Sequence, residues 1–237
     1  DCAMALQELV NLGVENIITF DAHDQRVQNA IPHKSFENVM PTYQMIKAIV
    51  NNIDDLKVDK DHLMVISPDE GAMQRCIYFA TQLGVNLGMF YKRRDFTKVV
   101  DGRNPIVEHQ YLGDPINGKD IIIVDDMISS GESMLEVAKK LKGLGANRIF
   151  VCTTFGLFAN GLDVFDEAYK EGVFEKVFTT NGVYQTPELL SREWYQSVDL
   201  SKYVAYFLDT LNHDMSVSSL LDSSDKIDSI LRRKGLK

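Results

Sequence analysis

The stretch that decides the fold is IIIVDDMISSGES, which occupies residues 121–133. Four aliphatic residues lead into two acids, and a short Ser/Gly loop then precedes a helical pattern. The aliphatic run has no polar alternation, which predicts a strand in a parallel sheet covered by helices on both faces. The chain is therefore expected to be an α/β protein.

Strand and helix patterns alternate along most of the chain. Apolar runs predict further strands at residues 17–20, 63–67, 86–91, 148–153 and 176–180. Apolar residues at helical spacing predict helices at residues 3–12, 41–51, 72–83, 132–144 and 203–211. Residues 91–119 show no strong periodicity and are punctuated by Gly and Pro, which predicts a mobile functional loop.

Composition narrows the class of function. The 237 residues carry a formal net charge of -9, which disfavours general binding to nucleic acid. No apolar run reaches the length of a membrane span, and no leader pattern precedes the first helix, so a cytoplasmic location is the default expectation. The chain opens at Asp1 rather than Met, which suggests a processed product or a fragment.

The Ser/Gly loop has the composition of an anion-binding turn. Backbone N–H groups around Ser130 and Gly131, with the hydroxyls of Ser129, Ser130 and Ser133, are able to surround a terminal phosphate at the start of a helix. Ionised Asp125 and Asp126 accept hydrogen bonds from vicinal sugar hydroxyls, so the whole stretch predicts a clamp for a phosphorylated sugar. For either serine alone, a simple helix N-cap is the better interpretation.

Three more polar clusters follow predicted strands. They are Asp21 to Asp24, Ser67 to Gly71, and Lys92 to Arg94. Because ligands of open parallel sheets bind beyond the carboxyl ends of the strands, all three clusters are expected to face one cleft. Taken singly, His23 is more often a structural residue, Asp69 a turn former and Lys92 to Arg94 a solvated basic face.

In order and approximate spacing these motifs resemble the ribose-phosphate pyrophosphokinase family, from the first helix to about Asp222. The resemblance implies a type I phosphoribosyltransferase-like, parallel-sheet domain at residues 57–222. Before it, residues 1–56 would be the remainder of a second, similar N-terminal domain, and residues 223–237 a C-terminal extension without an assigned role.

The family resemblance also implies roles by position. His23 and Asp69 match the Mg²⁺-binding residues, Lys92 matches the catalytic lysine, and Arg94 matches a ribose-phosphate contact that also supplies catalytic charge. Ribose 5-phosphate would be bound by Asp125, Asp126, Ser129, Ser130, Gly131, Glu132 and Ser133. ATP would be the second substrate, the cofactor would be Mg²⁺, and the protein would be a homo-oligomer.

Two departures from the family pattern leave alternatives open. Ser130 stands where Thr is common, and Glu132 stands where a small residue such as Gly is common, so a carboxylate lies beside the expected phosphate. The family's ATP-site segment that precedes the matched region is not found in this chain, so an isolated chain with little turnover is expected. The alternatives are a catalytically silent regulatory paralogue and a phosphoribosyltransferase of nucleotide salvage.

Overall fold

A computed structural model describes residues 1–94 and 106–236, and it describes side chains in those ranges except at 92–94 and 106–109. Seven strands form the main sheet, in the order β5-β4-β3-β6-β7-β8-β9. They are β3 (Leu63–Ser67), β4 (Asn86–Arg94), β5 (Ile106–Leu112), β6 (Asp120–Ile128), β7 (Ile149–Gly156), β8 (Lys176–Thr180) and β9 (Tyr195–Val198). A separate sheet pairs β1 (Asn16–Phe20) in parallel with β2 (Ser35–Val39).

The helices alternate with these strands. They are α1 (Cys2–Asn11), α2 (Thr42–Asn52), α3 (Met73–Leu83), α4 (Glu132–Gly143), α5 (Asp163–Lys170), α6 (Pro187–Leu190), α7 (Ser201–Asn212), α8 (Ser218–Leu221) and α9 (Ser224–Arg233), with a 3-10 helix at Gln25–Ala30. Neighbouring strands of the main sheet are parallel except for β4 and β5. No helix among the described residues combines the length and the apolar character needed to cross a membrane.

The central strand β6 shows why the sheet is covered on both faces. Ile121 and Ile123 point into one apolar core, and Ile122 and Val124 point into the other. Successive side chains of a strand alternate between faces, so an uninterrupted aliphatic run supplies both cores at once. The predicted α/β class with a mainly parallel sheet is confirmed.

The structure extends or corrects several predicted elements. Residues 91–119 were expected to be irregular, but β4 continues to Arg94 and pairs with β5 in an antiparallel arrangement. Residues 95–105, the centre of the expected loop, lie outside the described residues. The patterns of β2, β9 and α5 were not recognised in the sequence.

Helices α2 and α9 pack against the main sheet. Ile46 and Ile49 of α2 share one apolar core with Ile227, Ile230 and Leu231 of α9 and with strands of the main sheet. The C-terminal segment therefore contributes buried side chains, although no role was predicted for it. The proposed domain boundaries after residues 56 and 222 stay predictions.

Candidate functional site at the carboxyl ends of the strands

A buried arginine organises the site. The side chain of Arg75, on α3, donates from Nε to Asp21 Oδ1 at 3.1 Å and from Nη1 to Asp125 Oδ1 at 3.4 Å. Its Nη1 also lies 3.7 Å from Asp126 Oδ1. We call these four residues the carboxylate cluster. One guanidinium thus faces three carboxylates, and its charge compensates part of their mutual repulsion.

Asp21 enters the cluster from the end of β1. Its φ of 43° lies in the left-handed region, which few residues other than glycine adopt readily, and its residue exposure is 3%. Thr154, on β7, donates from Oγ1 to Asp21 Oδ2 at 2.6 Å. Burial raises the pKa of Asp21, although Arg75 and Thr154 act in the opposite direction. The strained backbone is therefore held by contacts with both α3 and β7.

His23 reaches the same cluster two residues later. Its Nδ1 lies 2.8 Å from Asp126 Oδ2, and the exposed fraction is 78% for the His23 side chain but 3% for that of Asp126. The hydrogen bond to Asp126 raises the pKa of His23. This contact joins the segment after β1 to the acid pair on β6, across 103 residues of chain.

The two acids on β6 differ in their ionisation. Burial is the main reason that the pKa of Asp125 rises to about 7, and the neighbouring Asp126 adds to the shift. Burial also opposes ionisation of Asp126, but hydrogen bonds with Asp125 and His23 and the charge of Arg75 lower its pKa overall. The opposite directions of the two pKa shifts make Asp126 the more readily ionised member of the pair.

Residues 129–133 form an open turn that runs into the first turn of α4. Gly131 has a φ of 88°, and a Cβ built there would lie 2.3 Å from the Phe165 ring, so this position favours glycine on two counts. Among the described residues, no side chain caps α4 through a standard N-cap hydrogen bond. In the described part of the chain, the one side-chain hydrogen bond at this helix start is long, at 3.5 Å from the Glu132 N–H to Ser130 Oγ. First-turn N–H groups have no partner within a helix, so the turn can receive an anion.

The second predicted metal residue lies in the turn after β3. Asp69 Oδ1 accepts hydrogen bonds from the N–H groups of Gly71, at 3.0 Å, and Ala72, at 3.2 Å. Its charge contributes to the raised pKa of Asp125, after the larger effects of burial and of Asp126. The Asp69 turn and the carboxylate cluster therefore interact across the strand ends. The part of the chain with described side chains contains no group of three or more His, Cys, Asp or Glu residues arranged as a metal site.

Lys92 and Arg94 lie at the end of β4. Their backbones pair with β5, opposite His109 and Ile106. Since β4 runs parallel to β3, and β3 parallel to β6, the carboxyl end of β4 is at the same edge of the sheet as the other predicted site residues. The side chains of Lys92 and Arg94 are outside the described residues, so the predicted contacts of their charged groups stay predictions.

The sequence analysis missed Arg75 and Thr154 and gave Asp21 no separate role. A signal for Arg75 was present, because it lies between Ala72, Cys76 and Phe79 on the apolar face of α3, where a charge is expensive unless it is paired. Thr154 follows a predicted strand without any distinguishing pattern. Its role depends on the parallel pairing of β6 with β7 and on the position of β1, which sequence spacing does not specify.

Known proteins resemble this chain in sequence and in fold. The sequence model described as the phosphoribosyl transferase domain matches residues 33–192. A ribose-phosphate pyrophosphokinase of Vibrio parahaemolyticus is 26% identical over 90% of this chain and 63% of its own length. One from Chlorobaculum tepidum is 29% identical over 92% of this chain and 62% of its own length. The chain thus spans slightly less than two thirds of these relatives.

A solved structure supports the fold. The phosphoribosylpyrophosphate synthetase from Mycobacterium smegmatis superposes with a TM-score of 0.73 at 19% identity, over 90% of this chain and 64% of that one. The predicted resemblance to ribose-phosphate pyrophosphokinases is confirmed by these relatives. Since the domain model covers more than half of the sequence, this chain belongs to the phosphoribosyl transferase domain family.

Proposed function

We propose that this chain supplies the ribose-5-phosphate half of a ribose-phosphate diphosphokinase. In that reaction the anomeric hydroxyl attacks the β-phosphorus of ATP, giving phosphoribosyl pyrophosphate and AMP. The observation that carries the proposal is the 2.8 Å contact between His23 and Asp126, which brings the segment after β1 to the acid pair beside the 129–133 turn. The names of the curated relatives support the same reaction.

In this proposal the sugar phosphate is held at its two ends. Its phosphate accepts hydrogen bonds from the turn around Ser130 and Gly131 and is favoured by the positive end of α4. Its ring hydroxyls donate to Asp125 and Asp126, which lie just before the turn on β6. Because the pKa of Asp125 is raised to about 7, substrate binding would strengthen as the pH rises through neutrality and Asp125 loses its proton.

Catalysis of such a transfer depends chiefly on positioning and on fixed positive charge. We assign that charge to Lys92 and Arg94, whose backbones end β4 at the same edge of the sheet. Lys92 is the proposed catalytic lysine, and Arg94 would also contact the sugar phosphate. In a protein that has the whole ATP site, Lys92→Ala would abolish AMP formation but keep ribose 5-phosphate binding. A regulatory paralogue would show no such loss.

His23 and Asp69 are the proposed ligands of a Mg²⁺ ion that has few protein ligands. Asp126 fixes one ring nitrogen of His23, which leaves the other for a ligand, and hydrogen-bonded carboxylates commonly orient metal-binding histidines in this way. Asp69 provides the oxygen donor that Mg²⁺ prefers. When bound with ATP, Mg²⁺ would neutralise part of the phosphate charge.

The chain spans 63% of the Vibrio parahaemolyticus relative, so binding and turnover need separate tests. We propose that the 237-residue chain binds ribose 5-phosphate but releases little AMP from ATP. The family resemblance further leads us to propose that the protein is a cytoplasmic homo-oligomer. Sedimentation of the purified protein would test whether it forms oligomers.

Calorimetry with ribose 5-phosphate, and with ribose as the matched ligand without a phosphate, tests the proposed site. We expect the phosphate ester to bind and ribose to bind at least about tenfold more weakly, because charged hydrogen bonds are strong ones. Equal affinities would contradict a phosphate site in the turn. Release of pyrophosphate from phosphoribosyl pyrophosphate in the presence of a base, without AMP formation from ATP in the longer protein, would favour a salvage transferase instead.

A further inference from the structure

A second polar cavity lies away from the carboxylate cluster and the 129–133 turn. It has a volume of about 470 Å³ and is bounded by α2, α7, α9 and the end of β9. None of the residues predicted for the sugar-phosphate or metal site whose side chains are described lines it. Cavities of this size are typical of sites for small organic ligands.

The charges lining this cavity are mainly positive. Lys47 from α2, Lys202 from α7 and Lys226 from α9 all face it, although the chain has a net charge of -9. Within the described part of the chain, none of the three ammonium groups has an acidic partner within 4 Å. All three lysines are exposed, and like charges on three separate helices favour an anion that lies between them.

The acid at the edge of the cavity compensates only part of the charge of one lysine, Lys47. Asp199 accepts hydrogen bonds from Asn181 Nδ2 at 3.0 Å and from the Ser201 N–H at 2.9 Å. Contacts with Ser201 and Asn181 are the main reasons that its pKa is lowered, and Lys47 contributes only a smaller effect. Its carboxylate is therefore already occupied by the turn that starts α7.

The neutral lining suits a polar ligand. Gln44 lines the cavity, and its Oε1 is buried without a hydrogen-bond partner among the described residues. The Tyr206 ring is 47% exposed and has Lys202 Nζ 5.5 Å from its centroid. Gln44 Oε1 accepts no hydrogen bond from the described part of the chain, so turning the amide to present its Nε2 donor to an anion breaks no bond at that oxygen, and Lys202 is held beside an aromatic face.

We propose that this cavity is a second anion site, which binds a small phosphate-class ligand carrying two or more negative charges, such as a polyphosphate or an organic phosphate ester. Such a ligand lies between the three helices and accepts hydrogen bonds from all three lysines. Helix α2 connects this cavity with the carboxylate cluster. Tyr43 and Lys47 line this cavity, whereas Pro41 and Thr42, at the start of α2, line a small cleft next to Asp21 and Arg75.

Residue-resolved lysine labelling tests the location. The full chain is treated with a trace of an acetylating reagent, with and without inorganic pyrophosphate, and acetylation at each lysine is read by mass spectrometry. We expect pyrophosphate to slow acetylation of Lys47, Lys202 and Lys226 about threefold or more, because an ammonium held by a phosphate is a poor nucleophile. The internal control is the exposed lysine Lys170, which should keep its rate. Equal protection of all lysines, or of none, would overturn the proposal.

A charge-matched pair of variants tests the affinity. One carries Lys47→Gln, Lys202→Gln and Lys226→Gln, and the other carries Lys57→Gln, Lys60→Gln and Lys170→Gln, so both lose the same charge. Calorimetry at low salt should show that the first variant loses one pyrophosphate site or binds it about tenfold more weakly, while the second keeps it. Identical binding by both variants would show attraction by overall charge only and would refute a site in this cavity. Binding at the 129–133 turn is untouched in both, so this result does not depend on the proposed function.

Discussion

The carboxylate cluster and the 129–133 turn lie at the same edge of the sheet, yet they are built in opposite ways. In the cluster, every acid contacts Arg75. Thr154 also binds Asp21, and His23 also binds Asp126. In the turn, Ser129, Glu132 and Ser133 are exposed, and the Ser130 hydroxyl is the one described side chain with a hydrogen bond to the helix start, a long one. The cluster is held by the protein itself, whereas the turn leaves its polar groups for a ligand. Substitutions in the cluster should therefore act mainly on folding, and those in the turn on binding.

The largest expected effect comes from Arg75→Met. The variant leaves Asp21, Asp125 and Asp126 without their shared cation, and we expect the free energy of unfolding to fall by about 3–5 kcal/mol, the usual cost of breaking a buried ion pair. Denaturation by urea measures the loss. Arg26→Met is the control, because Arg26 pairs with Asp24 at the surface. Equal losses in the two variants would mean that the cluster is not the stabilising unit described here.

Gly131→Ala should have the next largest effect. Although Gly131 lies in the turn, we expect this change to act on folding. Alanine would have to adopt a φ of 88° and place its Cβ against the Phe165 ring, so we expect a loss of about 2–4 kcal/mol. Gly161→Ala is matched, because Gly161 has a φ of 85° but no atom within 4 Å of a built Cβ. It should lose only about 1 kcal/mol from backbone strain. If both variants unfold at the same urea concentration, contact with Phe165 does not restrict the turn.

The two acids of the cluster should respond to pH with opposite signs. The pKa of Asp125 is raised above its ordinary value of 3.8, so the folded state retains a proton that the unfolded state has lost, and stability falls as the pH rises from roughly 4 to 7. Asp125→Asn should remove this fall and gain about 1–3 kcal/mol near pH 8. The pKa of Asp126 is lowered. Its ionised carboxylate therefore stabilises the fold at pH values above its ordinary pKa, and this stabilisation is lost as the pH falls through its lowered pKa. Asp126→Asn should therefore destabilise the protein near pH 8.

Urea denaturation at a series of pH values measures both variants. The gain for Asp125→Asn should shrink as the pH approaches 4. A loss of stability for Asp125→Asn that does not vary with pH would show that the contact with Arg75, rather than the cost of burying the charge, dominates at this position.

The sequence predicted the parts of the fold that depend on local apolar patterns. The strand Leu63–Ser67 and the strand Lys176–Thr180 were placed at their observed ends, because both are short buried runs between polar segments. Helix α9 was missed, although Ile227, Ile230 and Leu231 have helical spacing, because it lies beyond the segment that resembles the family and was treated as an extension without a role. Strand β5 has no distinctive apolar run, and its pairing with β4 is a long-range contact that local periodicity does not encode.

The candidate site was predictable where its residues follow strands in sequence. The rule that ligands bind beyond the carboxyl ends of parallel strands was enough to place the Asp125–Asp126 pair and the Asp69 turn at one edge. The contact of His23 with Asp126 and the pairing of Arg75 with three acids depend on how separate elements pack, so spacing alone did not reveal them. The difference between Asp125 and Asp126 in pKa is also invisible in the sequence, because it depends on their unequal burial and partners.

The smallest expected effect separates folding from binding within the turn itself. Glu132 stands in the first turn of α4, where a carboxylate is favoured by the helix dipole, so Glu132→Gln should lose about 0.3–1 kcal/mol of stability. The same change removes a negative charge beside the proposed phosphate, so ribose 5-phosphate should bind a few times more tightly. Glu136→Gln, one helical turn later, removes the same charge from a pair with Lys140 and should change the affinity less. Calorimetry on the two variants decides the point, because an unchanged affinity in Glu132→Gln would place the bound phosphate away from the start of α4.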